Sequence, residues 1–196
     1  GLFLSRHDAA HKVLEGTLDL KGSIESSGLG NELWSQSLKG QGEWTLANGK
    51  FLTFDLKETL STIEPFSGIG SLLPSMRDFD SMNFQWKISE GKAVTENLLV
   101  KHKDYVADGE GNIGFDGLAN FRMDVFLSSE LAAKFFPDMA QPFEKNPQAH
   151  LGPIPMLLSG SLLSPEVKPD PAQIGELVEK IQKGKAKEVL YELVME

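Results

Sequence analysis

Residues 38–56 read LKGQGEWTLANGKFLTFDL. Leu38, Gly40, Gly42, Trp44 and Leu46 share one parity, and Lys39, Gln41, Glu43 and Thr45 share the other. Side chains alternate across a strand, so this stretch is a strand with an apolar-and-glycine face and a polar face. Asn48-Gly49 then carries the strongest short hairpin signal, because a type I′ turn requires positive φ at both central residues. The expectation is a hairpin there, with Leu52, Phe54 and Leu56 on the return strand. Glycine inside a strand costs about 0.5–1 kcal/mol relative to alanine. Two of them on the apolar face imply that bare backbone is needed at that place.

The same alternation recurs along the chain. Over 13–24, Leu14, Gly16, Leu18, Leu20, Gly22 and Ile24 oppose Glu15, Thr17, Asp19, Lys21 and Ser23. Met82, Phe84, Trp86 and Ile88 alternate with Asn83, Gln85, Lys87 and Ser89, and Glu90-Gly91 turns the chain. Residues 94–100 and 105–113 read as strands. Asp116-Gly117 turns into Phe121, Met123, Val125 and Leu127, and a last strand carries Ile154, Met156, Leu158, Gly160 and Leu162. Short helices are expected at 57–64, at 128–136 with Ser129 as cap, and after Asp170-Pro171. In the last of these Ile174, Leu177, Val178 and Ile181 fall at helical spacing, and Val189, Leu190, Leu193 and Val194 continue an apolar stripe beyond Gly184. Residues 137–147, with Pro137, Pro142 and Pro147, read as loop.

The expected fold is mainly β with flanking α: a curled antiparallel meander with an apolar concave face. GQGEWTLANGKFLTFDL and DGEGNIGFDGLANFRMDV share a Gly-x-Gly start, a turn glycine and an alternating apolar run. They suggest two similar units, at about 13–64 and 79–136, followed by the strand 154–162. Together these make one domain over 1–170, with 171–196 as an amphipathic helical segment.

The chain has 196 residues, with 28 acidic against 19 basic side chains and a net charge of −9. Its basic cluster, Lys180, Lys183, Lys185 and Lys187, is flanked by acids, so no nucleic-acid partner is expected. With no cysteine, disulfides and thiolate chemistry are excluded. No apolar run approaches the ~18 residues of a membrane span, and the opening residues do not read as a signal peptide. His7 and His11 stand at i, i+4, but Asp8 occupies the place of a zincin's glutamate and no third ligand is evident, so both read as exposed helix histidines. His102 and His150 read as surface residues. Ser159-Gly160-Ser161 lies in strand context, and the GIGS at 68–71 lacks the lysine of a phosphate loop. No catalytic residue, metal or cofactor is expected, and the chain does not read as an enzyme.

The apolar stripes remain. Leu18, Leu20, Trp44, Leu46, Leu52, Phe54, Met82, Phe84, Trp86, Ile88, Phe121, Met123, Val125, Met156 and Leu158 all fall on strand faces or in their extensions. They make either an ordinary sandwich core or a groove that shelters a ligand. Three short helices cannot cover the whole sheet.

Five segments occur in order: EGTLDLKGSIESSGL, SLKGQGEWTLANGKFLTFDL, FDSMNFQWKISEGKAVTENLLV, YVADGEGNIGFDGLANFRMDVFLS and IPMLLSGSLLSPEVKPD. This succession resembles the carboxy-terminal region of the AsmA-like family of Gram-negative envelope proteins. The closing motif is carried by Ile154, Pro155, Ser159, Gly160, Ser161, Leu162, Pro165, Pro169 and Asp170. Residues 13–171 are spanned by the resemblance. It implies a periplasmic domain anchored to the inner membrane by an amino-terminal segment outside this chain. The implied task is to bind or convey lipid acyl chains for outer-membrane biogenesis, with a phospholipid or other acyl lipid as partner. The alternative is a structural or protein-interaction module of the envelope, docking other envelope proteins through its sheet edges. On the groove reading, Gly16, Gly22, Gly40, Gly42, Gly109, Gly111 and Gly160 mark bends of a sharply curled sheet; otherwise they sit opposite bulky residues such as Trp86. The helix after Asp170 would then plug one end of the groove.

Overall fold

The computed structural model describes residues 12–26, 37–64, 66–137, 140–146, 148–184 and 189–192. His7, His11, Lys185 and Lys187 lie outside them. One antiparallel sheet organises the chain. Its strands are β1 (Leu14–Glu25), β2 (Lys39–Phe51), β3 (Asp78–Ser89), β4 (Lys92–Lys101), β5 (Tyr105–Gly114), β6 (Leu118–Leu127), β7 (Ala149–Ser161) and β8 (Ser164–Pro169). They lie side by side in sequence order, and β9 (Leu190–Glu192) pairs with β7. The sheet is an open meander, not a closed barrel.

Register explains the apolar face. Directly opposite residues share a face. Leu20 stands opposite Trp44 and Trp44 opposite Phe84. Farther on, Ala107 opposes Val125 and Val125 opposes Ile154, while Met123 opposes Met156. A continuous apolar band therefore crosses all the strands. In β4 the band is carried over an extra residue. Asn83 pairs with Leu99 but Lys87 with Val94, and Thr95 pairs with Gly111 but Leu98 with Gly109. Over Thr95–Leu98 the pattern is buried, exposed, exposed, buried. This bulge keeps Thr95, Leu98 and Val100 on the apolar side and turns Val94 to the other. The Thr95 hydroxyl accepts from the Asn97 N–H at 3.2 Å, and Asn97 Nδ2 donates to Gln85 Oε1 at 2.8 Å.

Asn48-Gly49 does not make the expected hairpin. β2 runs through it to Phe51, with Ala47 opposite Ser81 and Gly49 opposite Phe79 in unbroken register. The positive φ of Asn48, 50°, serves a bulge instead: Thr17 pairs with Ala47 but Glu15 with Lys50. Gly16, with φ at 146°, faces that irregularity. Gly49 lacks the second positive φ that a type I′ turn needs, and a single positive φ suits a bulge. Leu52 and Phe54 accordingly lie beyond the strand, and Leu56 opens a helix, α1 (Leu56–Leu60). The two glycine-spaced stretches that read as a repeat are thus different structures, one a strand leading into a helix, the other the β5–β6 hairpin with Gly117 at φ 79°. Glu90-Gly91 does turn the chain, with φ values of 52° and 74°.

The β2–β3 connection crosses over part of the apolar face. α1 is followed by a 3-10 segment (Phe66–Leu72), and Leu60, Ile63, Phe66, Leu73 and Met76 are buried. Asp55 ties this crossover together. Its carboxylate caps α1 by accepting from Lys57 N–H at 3.0 Å, and it also accepts from the Ser75 hydroxyl at 2.8 Å and the Met76 N–H at 2.9 Å. Arg77 Nε lies 3.4 Å away. At its other end the crossover reaches β8: the Thr59 hydroxyl donates to the Val167 carbonyl at 3.1 Å. An element inserted near the start of the sheet thereby clasps its far edge.

After β6, α2 (Ser129–Phe135) is capped by Ser128, one residue earlier than expected, and buries Leu131 and Ala132. The proline-containing stretch read as loop holds α3 (Ala140–Lys145). Helix α4 (Ile174–Gln182) packs its Leu177 and Ile181 into the main core, beside Val189. Beyond Gly184 the apolar stripe is not helical at 190–192: it becomes β9 and extends the sheet beside β7. Strand β8 was not foreseen, because Pro165 and Pro169 weaken its strand signal. Prolines donate no ladder bond and belong at a sheet edge, which is where β8 lies.

Candidate functional site

The inside of the curl holds a cavity of about 120 Å³. Every strand from β1 to β8 contributes to its wall. Leu14 comes from β1, Trp44 and Phe51 from β2, Met82 and Phe84 from β3, and Leu98 and Val100 from β4. Tyr105, Ala107 and Ile113 of β5 and Phe121, Met123 and Val125 of β6 form the floor, while Leu158, Leu162 and Pro165 close it from the β7–β8 hairpin. Val13, Phe54 and Leu56 complete the wall from outside the strands. Residues from both ends of the meander can meet around one space only because the sheet is strongly curled.

The wall exposes no polar atom to the cavity. Tyr105 could have supplied one, but its hydroxyl donates to the Asp78 carbonyl at 3.1 Å. Burial, reinforced by Asp55 and other nearby carboxylates, pushes the Tyr105 phenol far above its ordinary range, so it stays neutral. Aromatic rings line one side in succession: Trp44 and Phe84 are 5.4 Å apart by centroids, and Phe84 and Phe121 6.2 Å.

Of the residues singled out in the sequence, Trp44, Phe54, Met82, Phe84, Phe121, Met123, Val125 and Leu158 line the cavity. Leu46, Ile88 and Met156 are buried but do not touch it, and Leu52 is half-buried outside it. Leu18 and Leu20 are exposed on β1. Trp86 does not reach the cavity; its indole lies across the backbone of β2 and β1. A Cβ placed on Gly42 would stand 2.5 Å from Trp86 Cζ2, and one on Gly22 2.7 Å from the same atom. Bare backbone is needed at 42 and 22 because the Lys21 and Gln41 carbonyls of the paired strands and the Trp86 ring together occupy the space. The same relation holds on the other half of the sheet, where Phe121 overlies Gly111 at 2.6 Å and Met123 overlies Gly109 at 2.9 Å. Gly40 faces the Ser23 carbonyl of β1 at 2.7 Å, and Gly160 has φ at 93° just before the β7–β8 turn. The wall residues Leu14, Phe51, Leu98, Val100, Tyr105, Ala107 and Ile113 were not singled out. Leu98 and Val100 were hidden by the β4 bulge, and Phe51 by the hairpin wrongly placed before it. Helix α4 contributes nothing to the wall, so it is core on β7 and not a plug in this cavity.

A broader hollow of about 880 Å³ lies over β1–β4, between Lys21, Glu43, Gln85, Lys87, Glu96 and Asn97. It presents charges of both signs, and Lys21 is already 3.6 Å from Asp19 and 4.0 Å from Glu43. On the polar side of β5 and β6, Asp108 stands directly opposite Asp124. Burial and the Asp124 charge raise the Asp108 carboxyl above its ordinary value. Asp124 is raised by burial and by Asp170, with Arg122 opposing. Among the described residues no group of three or more His, Asp or Glu side chains is placed to hold a metal, and no buried side-chain polar atom lacks a hydrogen-bond partner. No helix among them is long and apolar enough to cross a membrane. Comparison with family models, with curated proteins and with solved structures finds no match.

Proposed function

We propose that this domain binds an apolar chain, the acyl end of a lipid, in the cavity inside its curled sheet. The observation that carries the reading is the wall: it draws on eight strands yet exposes no polar atom. Such a wall gives nothing to a polar substrate and no group for catalysis. It rewards a hydrocarbon, at about 0.8 kcal/mol per methylene removed from water. The volume of about 120 Å³ is near that of the ~150 Å³ apolar cavities that stay dry and take up benzene. It therefore takes the end of a chain, and the remainder of the lipid lies outside. The resemblance to AsmA-like proteins supports the same chemistry and adds a setting: a periplasmic domain held at the inner membrane that carries lipid toward the outer one. The rival reading, an envelope interaction module, draws on another feature, the open edge at β1.

The test uses brominated acyl chains as quenchers of tryptophan emission. The chain has three tryptophans, of which Trp44 lines the cavity and Trp86 does not. Quenching is expected to saturate, to disappear in Trp44→Phe and to persist in Trp86→Phe. Lipid extracted from the purified protein should give acyl species by mass spectrometry. Absence of copurified lipid, together with quenching indifferent to Trp44→Phe, overturns the reading.

A further inference from the structure

The two edges of the sheet are built differently. At β8, Pro165 and Pro169 remove backbone donors, and the Thr59 hydroxyl of α1 occupies the Val167 carbonyl. These are two of the devices that keep a sheet edge from pairing. At β1 both are missing, and its charged side chains are of both signs. The strand runs 12 residues from Leu14 to Glu25 without a proline, and among the described residues no strand pairs with its outer side. Its apolar face is uncovered as well: Leu18, Leu20 and Ile24 are 46%, 61% and 60% exposed.

We infer that β1 pairs antiparallel with β1 of a second copy of this chain, across a twofold axis at Leu20. The sequence of the strand is self-complementary in that register. Asp19 of each copy stands opposite Lys21 of the other, twice. Leu18 stands opposite Gly22 and Ile24 opposite Gly16, so each of these bulky residues meets a bare backbone, while Leu20 meets Leu20. The same alternation of large residue and glycine already operates within the sheet, where Trp86 overlies Gly42 and Gly22. A shift of the axis by one residue sets Asp19 against Asp19 or Lys21 against Lys21, which costs like-charge repulsion. A shift of two shortens the pairing, and toward Gly22 it also sets Asp19 against Glu25. In the Leu20 register Glu15 and Glu25 come opposite each other at the two ends, where both are exposed to water. A twofold axis normal to the sheet keeps the apolar faces on one side, so the row Trp44–Leu20 continues into Leu20–Trp44 of the second copy. Leu18 and Leu20, which do not line the cavity, find their contact here.

Charge exchange tests the register. Asp19 and Lys21 side chains are each 70% exposed, so changing either leaves the core untouched. By sedimentation equilibrium the unaltered chain is expected to dimerise. Asp19→Lys alone and Lys21→Asp alone should each raise the dimer dissociation constant about tenfold or more, because two attractive pairs become repulsive. Mixing the two variants should restore dimers, each containing one copy of either kind, since every 19–21 pair is then opposite in charge. Circular dichroism melts confirm that both variants fold. A wild-type chain that sediments as a monomer at its highest soluble concentration overturns the proposal. So do dimers that survive each single change, or variants that fail to associate when mixed.

Discussion

The ring centroids of Phe84 and Phe121 lie 6.2 Å apart, although β4 and β5 separate their strands. In a flat sheet three strand spacings of about 4.8 Å would hold them about 14 Å apart. The strands between carry no ring at that level: Gly109 and Gly111 of β5 face Leu98 and Thr95 of β4. The curl and the glycines are therefore one device. Bare backbone in β5 lets β3 and β6 lean together, and the rings that meet over it form the side of the cavity. Phe84→Ala and Phe121→Ala should each lower stability by about 3–5 kcal/mol in urea melts, the range for emptying a buried aromatic site. Survivors at low temperature should take up brominated chains more readily, because the cavity is larger.

Asp55 links three parts of the β2–β3 crossover through Lys57, Ser75, Met76 and Arg77. Asp55→Ala leaves buried donors without an acceptor. The expected loss is about 3 kcal/mol, read as a lower urea midpoint, with Asp55→Asn falling between the two. Hydrogen exchange of the amides around Leu60 and Phe66 should accelerate in the alanine variant first.

Gly42→Ala should cost about 1–3 kcal/mol, since its methyl would enter space held by both the Lys21 carbonyl and Trp86. The added cost should be smaller in a Trp86→Ala background, with a coupling of at least about 0.5 kcal/mol in the double-mutant cycle. Strict additivity would mean that only backbone contact with β1, not the indole, excludes a side chain at 42.

Asp108 and Asp124 give the domain a defined pH response. Their carboxyls are raised in the folded state, first by burial, and each is acted on by a neighbouring aspartate. The folded chain thus holds those protons more tightly than the unfolded chain. Above the raised values the fold bears the penalty of charging them; as pH falls through those values the penalty is relieved, and the relief is complete below the ordinary aspartate value of about 3.9. Asp108→Asn should therefore raise the melting temperature at pH 7, with a gain that shrinks on acidification and vanishes below that value. A gain independent of pH would place its origin elsewhere.

The sheet was largely legible because its signal is local. Period-two alternation located β1, β3, β5, β6 and most of β7, and the strand order follows when turns as tight as Glu90-Gly91 and Asp116-Gly117 join neighbours. Signals with two physical meanings misled. Asn48-Gly49 offers positive φ, which a bulge uses as readily as a hairpin, and only the pairing of Gly49 with Phe79 distinguishes them. Strand β8 hid behind prolines that an edge tolerates. The β4 bulge has no signature in alternation, since Val94, Leu98 and Val100 share a parity while Val94 faces away from the other two. For the site, the aromatic and methionine positions on strand faces were visible. Which of them meet in one cavity depends on curvature, and curvature is set by contacts such as Phe84–Phe121 between residues far apart in sequence.

The Thr59–Val167 hydrogen bond joins residues 108 positions apart, whereas the strand ladders around it join successive strands. The wall of the cavity is consequently held by two kinds of closure that differ in what it takes to undo them. Separating any two neighbouring strands means breaking a row of backbone bonds. Parting α1 from β8 breaks a side-chain hydrogen bond and apolar contacts, with every ladder intact. Parting along that seam leaves the sheet itself whole, as a cupped hand opens without the fingers spreading.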